Sequence, residues 1–529
     1  MNLLDALLSS PLERVRAIAA FYGLWAPASG VGTEAALDGV ARLIQSHLLV
    51  PANVLVAMHG LNPEEVLALR LITIAGGGSG VVVEQCHQKL NQLSRKWRRN
   101  GAKVIEALVS RGLVFTRREG YRHIYFVPGD LREILSGFFL NDIYQSAAAD
   151  ASRFVPRHRQ DFAASLRHMC LFLSYLRKNE VRLTQAGTMF KKAQSDLGTL
   201  IGEEEAAIED SLFPTTYPPR LAFLLYFAKS RGLLEERGGV LRISSSAAMW
   251  VDSSPTSCWQ ELFEYWKQSF IAQDTDLQTL LWIIMKAPDG TAMSLNQLLS
   301  EMDTLSTSHS SHGLNLRAER NLVDFLEYMG GLEVQDGLNG AFIRPTAVGR
   351  ALSGLSPWPE VPWDDRIYVQ SNFEILVPCT IKPSLLWAID CFADLIKPDQ
   401  MMVYKLTRNS VYRAMLQSYT PEIIHSFLVA HSKTQVAQNV AYSISHWGMS
   451  FGRIEFEEAI LLKCDSEDLA DELMLHPKIK PYLKEKVGPR HLVVDRASYE
   501  QLVAILSEEG YMPKVDTVRR LTPQAAGQT

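Results

Sequence analysis

Between Lys89 and Arg122 the basic side chains Lys89, Arg95, Lys96, Arg98, Arg99, Lys103, Arg111, Arg117, Arg118 and Arg122 meet only two acidic ones, Glu106 and Glu119. The chemistry open to such a set is phosphate recognition. A local charge of about +8, inside a chain of net charge −5, concentrates a field that can hold a polyanion. Trp97 and Tyr121 stand among the cations, with ring faces suited to packing on sugar or base. The expected nucleic-acid-binding residues are Lys89, Arg95, Lys96, Trp97, Arg98, Arg99, Lys103, Arg117, Arg118 and Arg122. The alternative reading of the same residues is a positive surface balanced by acidic patches elsewhere in the protein.

Catalytic chemistry finds less support. Asp364-Asp365, Glu203-Glu204-Glu205 and Glu455-x-Glu457-Glu458 are the acidic clusters that could hold a nuclease metal, but none has a lysine at nuclease-like spacing. His309 and His312 sit in a serine-rich loop, and no G-x-S-x-G elbow is present. The glycine run Ala75-Gly76-Gly77-Gly78-Ser79-Gly80 lacks the lysine and Ser/Thr of a phosphate-binding loop, and G-x-x-x-x-G-K-[ST] occurs nowhere. It is expected as a turn between helices. The six cysteines lie far apart, with no two-residue spacing of a zinc knuckle, which fits a reduced compartment. The expectation is a non-enzymatic protein without metal or cofactor. Arg453–Glu472 carries eight acidic residues against Arg453 and Lys463. It reads as a solvated face, with docking of a basic partner or covering of the basic segment as alternatives.

The elements that must position the basic side chains follow a pattern met three times. A helix ends at glycine, a short strand follows, a glycine turn comes next, and an apolar strand closes the unit. The copies run Val104–Arg111 with strands Leu113–Thr116 and Tyr121–Val127, then Arg220–Arg231 with Leu233–Glu235 and Val240–Ile243, then Arg320–Met329 with Leu332–Val334 and Ala341–Arg344. Glycine closes a helix in the left-handed conformation and permits a tight hairpin. Further helical sequence, Pro63–Ala75, Asp161–Arg177 and Leu277–Lys286, precedes each copy. Helices followed by a hairpin is the plan of a winged helix. The closing glycines Gly112, Gly232 and Gly331 are spaced by 120 and then 99 residues, too irregular for a solenoid. The second and third copies mix Glu235, Glu236, Glu333 and Asp336 with their arginines, so they also suit protein contacts.

At roughly 150 residues per domain, 529 residues suggest three or four domains. The expected division is a helical segment over 1–60, winged helices over 61–130, 155–250 and 275–350, an α/β domain over 366–515 and a disordered tail over 516–529. The fold class is α+β, mainly helical. The N-terminus has no signal-peptide pattern, and the longest apolar stretches fall well short of the ~20 residues of a membrane span. A soluble cytoplasmic protein, nucleoid-associated when bound to DNA, is expected.

From Arg366 strands and helices alternate: strands at Ile367–Val377, Met401–Leu406, Arg453–Cys464 and His491–Val494, and helices at Ser384–Ile396, Asn409–Gln417, Pro421–Ala430, Gln438–Trp447, Glu467–Leu475, Ile479–Glu485 and Ser498–Glu508. Three segments here, VQSNFEILVP (Val369–Pro378), VYKLTRNSVYRAML (Val403–Leu416) and AQNVAYSISHWGMSFGRI (Ala437–Ile454), resemble the bacterial helicase-associated family. That family is similar to the N-terminal domain of the XPB-type helicase subunit of TFIIH. The likeness covers Arg366–Val515, and VRLTQAGTMFKK (Val181–Lys192) is similar to the region preceding it in bacterial members. In XPB-type helicases this domain lies outside the motor and contacts partner subunits. Fourteen residues follow Val515, so ATPase lobes are not expected and unwinding is not implied. The basic first hairpin, the missing motor and the resemblance together give the expectation of a DNA-binding accessory that pairs with a separate XPB-like helicase in repair or transcription. The other readings are a protein scaffold without DNA binding, a winged-helix transcription regulator, and a cryptic nuclease.

Overall fold

A computed structural model of the chain describes residues 1–24, 33–94, 97–157, 161–202, 217–272, 274–306, 316–338, 340–454 and 459–514, the side chains of 33–36, 97–100 and 316–320 excepted. The fold is mixed α and β, mainly helical, with small antiparallel sheets, and it separates into two units, Met1–Gly448 and Met449–Thr529.

The repeated pattern becomes three small sheets. In the first copy the helix Pro63–Ile74 starts at a capping box, Asn62 accepting from the Glu65 amide and Glu65 returning the bond to Asn62. A two-residue strand β1 (Val81–Val82), helices Val83–Leu93 and Trp97–Ser110, and the hairpin β2 (Phe115–Glu119) and β3 (Arg122–Phe126) complete it. The second copy has helix Ala164–Lys178, β4 (Val181–Arg182), helices Lys191–Leu200 and Pro219–Ser230, and β5 (Leu234–Arg237) with β6 (Val240–Ile243). The third has helix Thr275–Lys286, β7 (Met293–Ser294), helices Leu295–Leu305 and Leu316–Tyr328, and β8 (Leu332–Gln335) with β9 (Phe342–Pro345). Each short strand pairs with the last strand of its copy, Val81 opposite Tyr125, Val181 opposite Leu241 and Met293 opposite Ile343. The hairpins match the sequence expectation within one or two residues, except that β2 runs three residues past the expected end at Thr116. The short strands add a third member to each sheet, too brief for any alternation to announce them.

Glycine is required where the run Gly76–Gly80 meets the first sheet. Gly80 has φ +82°, and a Cβ there would lie 2.5 Å from the Tyr125 carbonyl oxygen and 2.6 Å from Ile124. The run closes a turn onto β3.

The copies share one apolar core that extends from Leu3 to Ile444. The 19-residue helix Gly129–Ala147 carries the chain from the first copy to the third, where the Tyr144 hydroxyl donates to the Ile283 carbonyl at 2.8 Å. An ion pair of Arg70 with Glu301 at 2.5 Å joins the same two copies. The loop Pro357–Asp365 is fixed by two tryptophans: Trp358 stacks on buried Trp259 at 5.8 Å, and Trp363 meets Phe162 edge-on at 5.6 Å.

Beyond it lies a four-stranded sheet of β10 (Tyr368–Val369), β11 (Glu374–Pro378), β12 (Asp394–Lys397) and β13 (Met401–Lys405), in the order β10-β11-β13-β12. The single strand expected over Ile367–Val377 is a hairpin instead, because Phe373 adopts φ +70° and Asn372 caps the turn by accepting from the Glu374 amide. The helix expected to run on to Ile396 stops at Phe392, and Asp394–Lys397 becomes an edge strand. Helices Arg408–Met415, Pro421–His431 and Gln438–Met449 follow, the second capped by the Thr420 hydroxyl, which accepts from the Ile423 amide.

The second unit has its own core, Cys464, Ala470, Leu473, Ile479, Leu492, Val494, Leu502 and Leu506. Its strands β14 (Ile460–Lys463), β15 (Leu483–Gly488) and β16 (His491–Val494) take the order β14-β16-β15, with helices Glu467–Leu475 and Tyr499–Glu508. A helix over Ile479–Glu485 is not formed: a single 3-10 turn, Lys480–Tyr482, leads into β15. Among the described residues no single helix is long and apolar enough to cross a membrane, although the pair Leu37–Leu48 and Pro51–His59, bent by 85°, passes by length and composition.

Candidate nucleic-acid interface

The helix Trp97–Ser110 buries Val104, Ile105 and Leu108, which leaves Lys103 exposed on the opposite face. Gly112 turns the chain into the hairpin, whose base is anchored by buried Phe115, Ile124, Tyr125 and Phe126. Pairing runs from Phe115 opposite Phe126 to Glu119 opposite Arg122, so Gly120 and Tyr121 form the tip. Arg118 and His123 oppose one another on one face, both exposed, and the Arg118 Nε donates to the Gly120 carbonyl at 2.9 Å.

Lys103, Arg118 and Arg122 are exposed on one helix and one hairpin tip and form no ion pair among the described residues. Lys89 and Arg117 do not. Lys89 donates to the Asp303 carbonyl in the third copy, and burial lowers its pKa, opposed by the charges of Asp303 and Asp276. Arg117, only 23% exposed, donates to the Ser79 carbonyl at 2.6 Å, pairs with Glu119 at 2.6 Å and lies 5.1 Å from the Phe126 ring centre. It ties the hairpin to the glycine turn. Arg111 is similarly engaged, with Glu65 at 3.4 Å and its guanidinium 5.4 Å from the Phe21 ring. Arg95 and Lys96, and the side chains of Trp97, Arg98 and Arg99, lie outside the described residues. His123 escaped the sequence reading, although its register opposite Arg118 follows from the hairpin once the tip is known.

Lys89→Gln is accordingly expected to leave duplex DNA affinity within about twofold, whereas Lys103→Ala lowers it roughly fivefold at 0.15 M salt, the cost of one phosphate contact. Titrations of the two variants against one labelled duplex check the contrast.

In each of the other two hairpins an arginine is paired with a glutamate of the same hairpin. Arg237 pairs with Glu235 at 2.8 Å, and Arg344 with Glu333 at 2.6 Å. Of the acidic and histidine clusters weighed for catalysis, Asp364-Asp365 alone lies among the described residues. Asp364 accepts from the Thr380 hydroxyl and Asp365 lies near Arg366, while Glu203–Glu205, His309, His312, Glu455, Glu457 and Glu458 lie outside the described residues. Among the described residues no three His, Cys, Asp or Glu side chains converge on a metal-sized site. In the second unit part of the acidic stretch is paired, Lys486 reaching Asp471 at 2.5 Å and Glu467 at 3.4 Å.

Fold and surface define a mainly helical mixed α/β protein with three helix–hairpin units, one of them strongly basic. Residues 367–488 match the helicase conserved C-terminal domain family, a segment under a quarter of the chain, which links the protein to helicase-associated proteins. The matched segment begins in the four-stranded sheet and ends in β15 of the second unit. No curated protein matches the chain.

Proposed function

We propose that this protein is a non-enzymatic DNA-binding accessory that works with a separate XPB-like helicase in DNA repair or transcription. The three helix–hairpin units are winged helices in this reading, and the C-terminal segment is an XPB-N-terminal-like domain. The observation that carries it is the cationic set at the first hairpin: Lys103, Arg118 and Arg122 are exposed and form no ion pair among the described residues, Glu119 opposite Arg122 pairing instead with Arg117, and the sequence adds the basic run Arg95–Arg99. Charges placed on a helix and on a hairpin tip grip phosphates from two sides, which positions the protein without encoding much sequence preference. The helicase-family match over 367–488 supports the motor-linked context.

Duplex binding measured by anisotropy from 50 to 200 mM salt tests the proposal. Five or six phosphate contacts give a log–log slope of roughly −5, at about 0.9 per contact. A flat salt dependence overturns it. A second reading, a protein scaffold, is favoured by the exposed apolar side chains Ile423, Val429 and Tyr442 on the helices of the matched segment. Recovery of a helicase in a pull-down by protein that binds no DNA selects that reading.

A further inference from the structure

We infer that the tip of the first hairpin is a stacking wedge for an unpaired base at a junction in duplex DNA. The inference rests on the DNA-binding reading and names its substrate class. Tyr121 is 98% exposed at the end of two five-residue strands. The two-residue loop is of the type II′ kind, whose first central position favours glycine, and Gly120 has φ +59° there. The hairpin is stiff at both ends. Its base is buried and bonded through Arg117 to Ser79, and its tip is braced by the Arg118 bond to Gly120. A large ring held fully in water on a rigid arm contributes nothing to packing.

Its neighbours point to the ligand. Exposed Arg118 and His123 flank the tip on one face of the hairpin and Arg122 on the other, where the charge of Glu119 opposite it is taken by Arg117, so a nucleotide stacked on Tyr121 has cations within reach of its phosphates. The other tips lack this pairing of ring and charge. The second carries Gly238 and Gly239, and the third presents exposed Leu338 near Asp336. Inside a continuous duplex both faces of every base are already stacked on neighbours. A ring can reach a base face only at an end, a fork or a mismatch, and stacking on an aromatic side chain is tolerant of base identity.

The test compares a fully paired duplex with one of equal length and phosphate number that carries a three-nucleotide mismatch, with 2-aminopurine in the mismatch. The wild-type protein is expected to bind the mismatched duplex about tenfold more tightly, within the range that one stacked base supports, and to change the 2-aminopurine fluorescence. Tyr121→Ala removes the preference and the fluorescence change, and leaves paired-duplex affinity and its salt slope intact. Tyr121→Phe and Tyr121→Trp retain both. Equal affinity of the wild-type protein for the two DNAs, or a preference that survives Tyr121→Ala, overturns the wedge alone. Failure to bind either DNA overturns the DNA-binding reading with it.

Discussion

Replacing Lys103, Arg118 and Arg122 together by alanine is expected to weaken duplex DNA binding by about two orders of magnitude at 0.15 M salt. Each phosphate contact released contributes roughly 0.9 to the slope of log K against log salt, hence roughly 0.7 log unit at that concentration. The slope is expected to fall by roughly 3 in the same experiment, which separates loss of phosphate contacts from a general loss of folded protein. All three side chains are exposed, and no described core residue depends on them, so thermal stability is expected to shift by no more than about 0.5 kcal/mol. A triple variant that folds normally and binds as the parent does would remove the basis of the proposed function. One that loses affinity without a change of slope would point to some other contact.

The hairpins were legible because each of their signals is local. A glycine after the last helical turn, a few apolar residues and a second glycine lie within about fifteen positions, and Gly112, Gly232 and Gly330 all take positive φ at the helix ends. The basic field was legible for the same reason. What its members do was not. Arg117 and Lys89 look like their neighbours in composition, but their partners Ser79 and Asp303 are 38 and 214 residues away, and no local pattern encodes them. The turn at Phe373 was hidden differently: an apolar side chain in the left-handed region gives no turn signal, so Ile367–Val377 reads as one strand. The three two-residue strands were out of reach of periodicity, since two residues define no period.

The same long-range principle makes Asp390 a sensitive buried charge. The helix Ala164–Lys178 of the second copy packs on Pro383–Phe392 of the matched segment, and the contact encloses a carboxylate with two cations. Asp390, its side chain 5% exposed, lies 3.2 Å from Arg177 Nη2 and 3.0 Å from Lys178 Nζ. Arg177, itself 10% exposed, also donates to the Trp387 carbonyl and lies 3.8 Å from that tryptophan's ring centre. Burial pushes the neighbouring Tyr404 hydroxyl well above its ordinary pKa, and the charge of Asp390 adds to the shift. Asp390→Ala strands Arg177 without its counter-charge in a dry contact, and breaking a buried pair from one side costs about 3–5 kcal/mol. That is a large share of the stability of an ordinary domain. The double variant Arg177→Met with Asp390→Leu removes both charges and fills the space with apolar groups, so it is expected to recover most of the loss, since Lys178 can still turn toward Asp394. Urea denaturation of the parent and both variants gives the comparison. A loss below about 1 kcal/mol for Asp390→Ala would mean that water reaches the pair, and that the matched segment is joined to the second copy by apolar packing and by hydrogen bonds such as Arg177 to the Trp387 carbonyl, not by the ion pair.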